Sequence, residues 1–351
     1  MNAAPVAPAV RRRPRIGGWE LALGVLLVVQ LLVFSLTVPG FFDGVSGLLN
    51  VTTNFLPFGL VALGLVPVIL TGGIDLSVGA TAGFSAVLMA VLWKHFGLSL
   101  GVAVPLALLA GGLLGALNGL LITRTRTEPL IITLATSFVF NSITTAMAGA
   151  EPPSGFPDSF NALGTGAPGT GLLRGVPYQL ILFAALAVVI SLLITRTRFG
   201  RSVVMVGYNR DATRYSGINV DRTVLGVYVI SGVMAALAGV VLAAYYSAVR
   251  SDMGDILLLT ALTMVVLGGI NIFGGEGSVL GAVLAVLLLG FLRQGLLIAG
   301  FSDMVTTMFT GAILLVAITA KNLLSTPGAF TRRLQERFSR PSTAPPEQVM
   351  K

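Results

Sequence analysis

The chain alternates between long apolar runs and short polar segments. Ten runs are dominated by Leu, Val, Ile, Ala and Gly, and most have about 17–24 residues, the length that an α-helix needs to cross a bilayer core. They lie near Leu21–Val38, Leu48–Leu70, Gly79–Trp93, Ser99–Ile122, Leu130–Met147, Tyr178–Ile194, Val224–Tyr246, Ile256–Ile272, Val279–Ala299 and Met304–Ala320. This pattern predicts an all-α integral membrane protein with about ten transmembrane helices.

The polar segments between these runs predict the orientation of the chain. Most arginines fall in the N-terminal tail, in Thr123–Pro129, in Thr195–Thr223 and in the C-terminal tail. The other connections are richer in acids: Asp43, Glu151, Asp158, Asp252, Asp255 and Asp303, against the bases Lys94, Arg174 and Arg250. Because cytoplasmic loops of membrane proteins carry an excess of Lys and Arg, both termini are predicted to be cytoplasmic.

Three regions follow from this arrangement. Residues 1–18 form a basic, Pro- and Ala-rich cytoplasmic tail, 19–322 the transmembrane domain with the inner loop 195–223, and 323–351 a basic and Pro-rich cytoplasmic tail. A signal peptide is not predicted at the start, because the first apolar run is long enough to span and lacks a small-x-small cleavage site.

Composition narrows the function further. Only 10% of the 351 residues are charged and 55% are hydrophobic, whereas soluble domains carry roughly 25% charged residues. The net charge of +8 lies in short inter-helix segments, so it favours contact with the bilayer and not with nucleic acid. The chain has no Cys and one His, which leaves zinc, haem and iron–sulfur sites without their usual ligands and predicts neither a metal nor a catalytic residue.

One polar stretch interrupts the apolar pattern, from Thr71 to Gly79, with Asp75 at its centre. A charged side chain at bilayer depth costs at least about 2.5–3.5 kcal/mol and normally faces a bundle interior or a water-filled cavity. The neighbouring glycines predict a broken helix, which membranes tolerate only where protein or a cavity surrounds it. The alternative is a Gly-rich turn at the membrane surface in which Asp75 caps the next helix.

Two sequence repeats indicate duplicated halves, a common construction in transporters. Gly268–Gly275 repeats the Gly-Gly-Ile-Asp/Asn-aliphatic pattern of the first stretch, and Leu120–Arg126 is identical to Leu192–Arg198. The second pair lies where helices leave the bilayer, so convergence on a helix-end pattern is an equally good explanation for it.

The longest inner loop contains a predicted short helix outside the membrane. Asn209 is a candidate N-cap, the helix is predicted to run from Arg210 to Ser216, and Gly217 is predicted to terminate it. Such a helix is suited to docking on a soluble partner, although a charged connector that only fixes orientation gives the same pattern.

None of the three lysines follows a Gly, so a P-loop is absent and any ATP would bind another polypeptide.

Polar residues inside the apolar runs are candidates for a solute pathway, because a polar solute needs hydrogen-bond donors and acceptors in a mostly apolar pocket. They are Asn54, Thr71, Asp75, Asn118, Asn141 and Asn271, with Gln294 as a further one. Each is also able to serve as a helix–helix hydrogen bond. Arg293, in the outer third of its helix, is predicted to snorkel or to pair with an acid.

Several of these motifs together resemble the permease subunits of bacterial ABC importers for sugars. That family includes the ribose, arabinose, xylose and rhamnose systems and the related autoinducer-2 system. The resemblance runs from about Leu48 to Ala320, and it is carried by Gly72–Gly79, Phe199-Gly200-Arg201, Ser216-Gly217-Ile218, Leu267–Ile270, Phe273–Ser278 and Gly311–Leu315.

The resemblance implies an inner-membrane assembly. Two permease subunits, identical or different, would pair around a pathway, bind ATP-hydrolysing subunits that hold the ATP, and receive solute from a periplasmic or lipid-anchored binding protein. The residues that match the family's ATPase-coupling loop are Gly200, Arg201, Gly207, Asn209, Ala212, Ser216, Gly217 and Ile218. The chain departs from the pattern at Ala212-Thr213, where two alanines are expected, and this puts the match to a particular ATPase in doubt.

Two other functions stay open. An ion-coupled secondary transporter would need intramembrane acids, and only Asp75 clearly qualifies. A permease for branched-chain amino acids is a near relative of the sugar group, but the sequence motif Gly-Gly-Ile-Asp-Leu-Ser favours the sugar group.

Overall fold

A computed structural model describes residues 17–149, 153–170, 173–309, 311–313 and 315. These residues form thirteen α-helices and one short 3-10 turn, Thr52–Asn54. The helices are α1 Gly18–Thr37, α2 Gly44–Val51, α3 Leu56–Leu70, α4 Val78–Lys94, α5 Leu100–Thr125, α6 Pro129–Ala148, α7 Asp158–Thr165, α8 Tyr178–Arg196, α9 Arg198–Tyr208, α10 Arg210–Tyr215, α11 Val220–Tyr246, α12 Asp255–Leu267 and α13 Val279–Ile298. Residues 303–309 are helical as well.

The predicted all-helical membrane fold is confirmed. Six of the described helices, α1, α5, α6, α8, α11 and α13, are long and apolar enough to cross a membrane. The pair of α2 and α3, bent by 58°, is either a seventh, broken span or a re-entrant loop. The apolar helices α4 and α12 are shorter. Nine of the ten predicted runs thus coincide with helices, whereas most of Met304–Ala320 lies outside the described residues, so the count of ten stays a prediction.

The connections predicted to be inner gather at one end of the bundle. At this end the Trp19 indole donates to the Leu267 carbonyl (2.9 Å), and the Gly275 amide donates to the Leu70 carbonyl (2.9 Å). At the opposite end the Asn161 amide donates to the Ser247 hydroxyl (3.0 Å). The tails that were predicted to be cytoplasmic lie almost entirely outside the described residues.

Helix α11 is the centre of the bundle and packs on α3, α4 and α5. In its most apolar stretch 67% of the residues are buried, against 6% for α1 at the periphery. Small residues make the close approach to α5 feasible: a Cβ on Gly232 would overlap the Gly111 carbonyl, and one on Gly115 would overlap the Tyr228 carbonyl. Such small-residue contacts are the usual packing mode inside a bilayer, where lipid supplies no hydrophobic drive.

The short helices α4 and α12 begin against each other in the interior of the bundle. A Cβ on Gly79 would lie 2.6 Å from the Gly254 carbonyl oxygen. Gly239, which touches the backbone of Ala82, lies about 28 Å along α11 from its first residue. The first turn of α4 therefore lies deep in the bundle, and the non-helical segments 71–77 and 247–254 enter it from opposite ends.

Candidate functional site

Asp75 lies in segment 71–77 and is fully enclosed, with 1% of its surface exposed. One carboxylate oxygen accepts from the backbone amide (3.0 Å) and the hydroxyl (2.6 Å) of Ser77, and the other accepts from the Ser231 hydroxyl on α11 (2.7 Å). The Asn118 amide of α5 donates to the same Ser77 hydroxyl oxygen (2.7 Å). The carboxylate thus ties the start of α4 to α5 and α11.

The backbone beside Asp75 is held by α11 again and by one further helix, α6. The Ile74 carbonyl accepts from the Tyr228 hydroxyl (3.2 Å) and from the Thr133 hydroxyl (3.3 Å), and the Leu76 amide donates to the Thr133 oxygen (3.1 Å). Irregular backbone in a membrane requires such partners, because lipid offers none. The segment is therefore fixed on every side by protein.

The two Gly-Gly-Ile stretches share a local design. Each follows a helix that ends in a left-handed glycine, Gly72 (φ 72°) or Gly269 (φ 88°), and glycine adopts this conformation without steric cost. In each, the Asp or Asn side chain accepts from the amide two residues later: Ser77 to Asp75 at 3.0 Å, Phe273 to Asn271 at 3.1 Å.

The repeat is nevertheless offset by one residue. The left-handed residue is the first glycine of the pair at Gly72-Gly73 but the second at Gly268-Gly269. Asn271 is also half-buried in a connection whose Phe273 is 87% exposed, unlike the enclosed Asp75. The two stretches therefore share a local turn but differ in packing, and the duplication of halves stays a prediction.

A contact of backbones joins α9 to both stretches. A Cβ on Gly207 would overlap the Leu70 carbonyl and the Gly275 amide, and one on Gly274 would lie 2.6 Å from the Gly72 amide nitrogen. Because the Gly275 amide also donates to the Leu70 carbonyl, three segments meet here without side chains between them. Helix α9 therefore lies directly against the end of α3 and against the connection between α12 and α13. We call this contact the glycine junction.

The structure places the predicted docking helix as expected. Asn209 is the N-cap of α10 and accepts from the Ala212 amide (2.8 Å). The helix ends at Tyr215, one residue before the predicted end, with Ser216 as C-cap and Gly217 at φ 80°. Tyr215 is 92% exposed, so one face of the helix is presented outside the bundle.

At position 213 the chain has Thr where the family pattern predicts Ala, and the structure gives a reason for this difference. The Thr213 side chain is buried, and its hydroxyl donates to the carbonyls of Met205 (2.8 Å) and Asn209 (2.7 Å). It points toward α9 and stabilises the corner between α9 and α10. The neighbouring Ala212 is exposed.

The remaining residues of the predicted coupling loop divide into packing and surface positions. Gly200 is buried against the backbone of Ile194 at the end of α8, so a Cβ there would overlap it. Arg201 and Ser216 are exposed, and Ile218 is half-buried below the docking helix.

The structure does not bring the predicted pathway residues together in one cavity. Asn118 lies in the Asp75 cluster, and Thr71 donates to the Val68 carbonyl one turn back (2.7 Å). Asn54 accepts from the Tyr245 hydroxyl near the opposite end of the bundle. Asn141 interacts with the Asp255 carboxyl group, and Gln294 is half-buried on α13. Their role in solute contact stays a prediction.

A cavity that sequence reasoning missed lies between α12, α13 and the helical stretch 303–309. It has a volume of about 310 Å³, and its charged lining residues are Asp255, Arg293 and Asp303. Arg293 pairs with Asp303 at 2.6 Å, which confirms the prediction that it pairs with an acid. An arginine within an otherwise apolar helix was the signal available in the sequence; the two aspartates were assigned to outer connections.

Among the described residues no group of three His, Asp or Glu side chains is placed to hold a metal ion. The absence of a resident cofactor stays a prediction.

Comparison with known proteins identifies related chains. The model of the family described as "Branched-chain amino acid transport system / permease component" matches residues 47–318. This match contains the Asp75 cluster, the docking helix and all the residues that line the cavity.

Individual relatives are similar over most of their length. "Autoinducer 2 import system permease protein LsrD" of Enterobacter sp. (strain 638) is 40% identical over 87% of this chain and 93% of its own length. Proteins of the same name from Yersinia enterocolitica and Yersinia pseudotuberculosis are 38% and 37% identical, over 87% and 93% of this chain and 92% and 98% of their own lengths.

Proposed function

Since the chain belongs to the permease family of branched-chain amino acid transport systems, a family of ABC importer permeases, we propose that it translocates autoinducer 2 or a closely related sugar-like solute. Support for the solute comes from the name of relatives that are 37–40% identical over most of the chain. As a multi-pass subunit of a binding-protein-dependent importer it would lie in the bacterial cytoplasmic membrane.

The family implies two kinds of partner, an ATPase subunit and a substrate-binding protein. The permease does not itself hydrolyse ATP, and the nucleotide binds the ATPase. A second permease subunit, identical or different, completes the pathway, and the docking helix α10 inserts into the ATPase.

The observation that carries this proposal is the link from α10 to the bundle. Thr213 joins α10 to α9 through bonds to the carbonyls of Met205 and Asn209, and Gly207 of α9 lies against Leu70 and Gly275 in the glycine junction. Movement of an ATPase bound to α10 would pass through α9 to the inner end of α3 and to the connection between α12 and α13, where the backbones touch directly. Rigid-body motion of this kind is a common basis of alternating access.

A second candidate solute is a branched-chain amino acid, because the description of the matching family names it. The ion-coupled alternative is weaker, because Asp75 is enclosed and hydrogen-bonded by three donors in this conformation. A coupling carboxylate must be reachable by the ion it carries.

The test is reconstitution of the chain in liposomes with the ATPase, the binding protein and the permease encoded beside it. Autoinducer 2 is expected to stimulate ATP hydrolysis and to accumulate inside, and leucine is expected to do neither. Replacing Asn209–Ile218 by Gly and Ser should abolish stimulation.

A point variant sharpens the test. Tyr215→Ala, on the exposed face of α10, should reduce stimulated hydrolysis at least about tenfold, since exposed aromatic residues are typical anchors of interfaces. Tyr246→Ala, 58% exposed at the opposite end of α11, is the matched control and should retain it. Uptake on an ion gradient without the ATPase would overturn the proposal.

A further inference from the structure

The cavity between α12, α13 and residues 303–309 carries charge in a place where lipid would penalise it. Asp255 is the first residue of α12, which begins in the interior of the bundle beside Gly79. A charge that faces lipid at this depth costs at least about 2.5–3.5 kcal/mol, so ionisable residues inside membranes normally line water-filled spaces. The cavity therefore belongs to the side of the subunit that faces water or a partner subunit.

The charged groups are held in fixed positions. The Arg293 guanidinium lies 2.6 Å from Asp303 and 5.3 Å from the ring centroid of Phe58. Only 21% of the Arg293 side chain is exposed, against 66% for Asp303. The Asp255 carboxyl group interacts with Asn141 of α6. The paired Arg293 and Asp303 offset each other, and the second carboxylate, Asp255, leaves the cavity with an excess of negative charge.

The hydroxyl groups of the wall are oriented by their own helices. Thr260 donates to the Ile256 carbonyl (3.3 Å), Thr263 to the Leu259 carbonyl (2.7 Å) and Thr307 to the Asp303 carbonyl (2.9 Å). Each hydroxyl proton is thereby used, and each oxygen keeps acceptor capacity toward the cavity. Together with the carboxylates, these hydroxyl oxygens make most of the polar wall an acceptor surface, to which the Arg293 guanidinium adds a donor and the leucines add apolar area.

Such a wall is complementary to a small, uncharged molecule with several hydroxyl groups. Hydroxyl donors of the solute match the acceptor oxygens, and its carbon skeleton matches Leu259 and Leu262. An anionic solute is repelled by the excess carboxylate. The volume of about 310 Å³ lies at the small end of ligand pockets, which span about 300–1,000 Å³.

We propose that this cavity is the position at which the membrane domain holds its solute during transport, and that the solute is a neutral polyhydroxylated molecule of about pentose size. Asp255 and Thr260 contact it directly, while Arg293 is a positioning residue that holds Asp303. The inference rests on the proposed importer function and names the site at which it selects its solute.

The test measures the concentration dependence of uptake in the complete reconstituted complex, with labelled autoinducer 2 as probe. Asp255→Asn is expected to raise the apparent KM about tenfold or more, and Thr260→Val about threefold or more. D-Ribose in excess should compete with the probe, and leucine should not.

Matched control variants separate solute contact from damage to a helix. Asp158 is exposed and, like Asp255, is the first residue of its helix, so Asp158→Asn should keep the KM within about twofold. Thr37 is exposed, and its hydroxyl donates to the Val33 carbonyl four residues back, as Thr260 does to Ile256. Thr37→Val should therefore also keep the KM within about twofold. Because Thr260→Val removes only a half-buried hydroxyl, this variant carries the test if the complex that contains Asp255→Asn does not assemble.

The outcomes are distinguishable. If the unmodified complex takes up autoinducer 2 and both cavity variants keep its KM within twofold, the cavity proposal is overturned and the importer function stands. Competition by leucine and not by ribose also overturns it. If the unmodified complex takes up no autoinducer 2 with ATPase and binding protein present, the proposed function fails first.

Discussion

Asp75 and Asp255 lie at the beginnings of two short helices that meet in the interior of the bundle, yet their surroundings are opposite. Asp75 is 1% exposed and accepts three hydrogen bonds. Asp255 is exposed and lines a cavity. The comparison teaches that a carboxylate inside a membrane protein has two distinct uses: one enclosed by donors stabilises the fold, and one left open to a cavity is free to contact a solute.

The same contrast explains why α4 and α12 are suited to different tasks. The beginning of α4 is bound to α5, α6 and α11 through Asn118, Thr133 and Ser231. The beginning of α12 contacts α4 by backbone at Gly254, while its Asp255 side chain remains exposed. We infer that α4 belongs to the fixed part of the subunit and that α12 borders the space that changes during transport.

The largest expected effect is that of Asp75→Ala on folding. Removal of the carboxylate leaves the Ser77 amide and the hydroxyls of Ser77 and Ser231 without their acceptor, which should cost on the order of 3 kcal/mol of unfolding free energy. The measurement is the midpoint of thermal unfolding in detergent, together with the yield of folded protein. An unchanged midpoint would contradict the anchoring role of Asp75.

A methyl group on Gly207 should have the next largest effect. Gly207→Ala forces a Cβ into the backbone of Leu70 and Gly275, and overpacking of this kind costs about 1–3 kcal/mol. ATP hydrolysis should also lose its dependence on solute. Gly24→Ala is the control, because a Cβ at Gly24 of α1 meets no atom within 4 Å, and both the midpoint and the coupling should be retained.

Asn271→Ala tests whether the two Gly-Gly-Ile stretches are equivalent. Asn271 accepts one hydrogen bond, from the Phe273 amide, in a connection that is partly exposed. Its loss should cost about 0.5–1.5 kcal/mol, measured by the same unfolding midpoint. A loss as large as that of Asp75→Ala would mean that the second stretch is an anchor too.

The smallest effect on stability is expected at Asp255. Since its side chain is exposed and its role is proposed to be solute contact, Asp255→Asn should change the unfolding free energy by less than about 0.5 kcal/mol. The unfolding midpoint and the solute KM are measured on the same preparation. A midpoint that falls as far as that of Asp75→Ala would remove the distinction between the two carboxylates.

The parts of this structure that depend on neighbouring residues were predictable from sequence. The apolar runs predicted most helices, and Asn209 and Gly217 predicted the ends of the docking helix because capping is local. The partners of Asp75 were not predictable, because Ser231 is 156 residues away and its hydroxyl looks like any other in an apolar helix. The sequence around Gly207 does not indicate that this residue packs against the backbone of Leu70 and Gly275.

The cavity was missed for a related reason. Charge patterns along the chain assign an aspartate to the connection in which it occurs, and Asp255 and Asp303 were therefore placed outside. The segment 247–254 instead enters the bundle until Gly254 touches Gly79, and this path depends on glycine contacts between distant segments. Arg293 gave the one indication of a nearby acid, since it was predicted either to snorkel or to pair with one.

The most direct measurement uses the fact that the chain has no cysteine. Single variants Ser231→Cys, beside Asp75, and Thr260→Cys, in the cavity, are placed in the reconstituted complex and treated with a membrane-impermeant thiol reagent. The account predicts that Thr260→Cys reacts at least about a hundredfold faster than Ser231→Cys, because only a water-exposed thiolate reacts readily, and that autoinducer 2 slows its reaction. Equal rates at the two positions, or a faster reaction at Ser231→Cys, would contradict the division between an anchoring carboxylate and a solute-facing one.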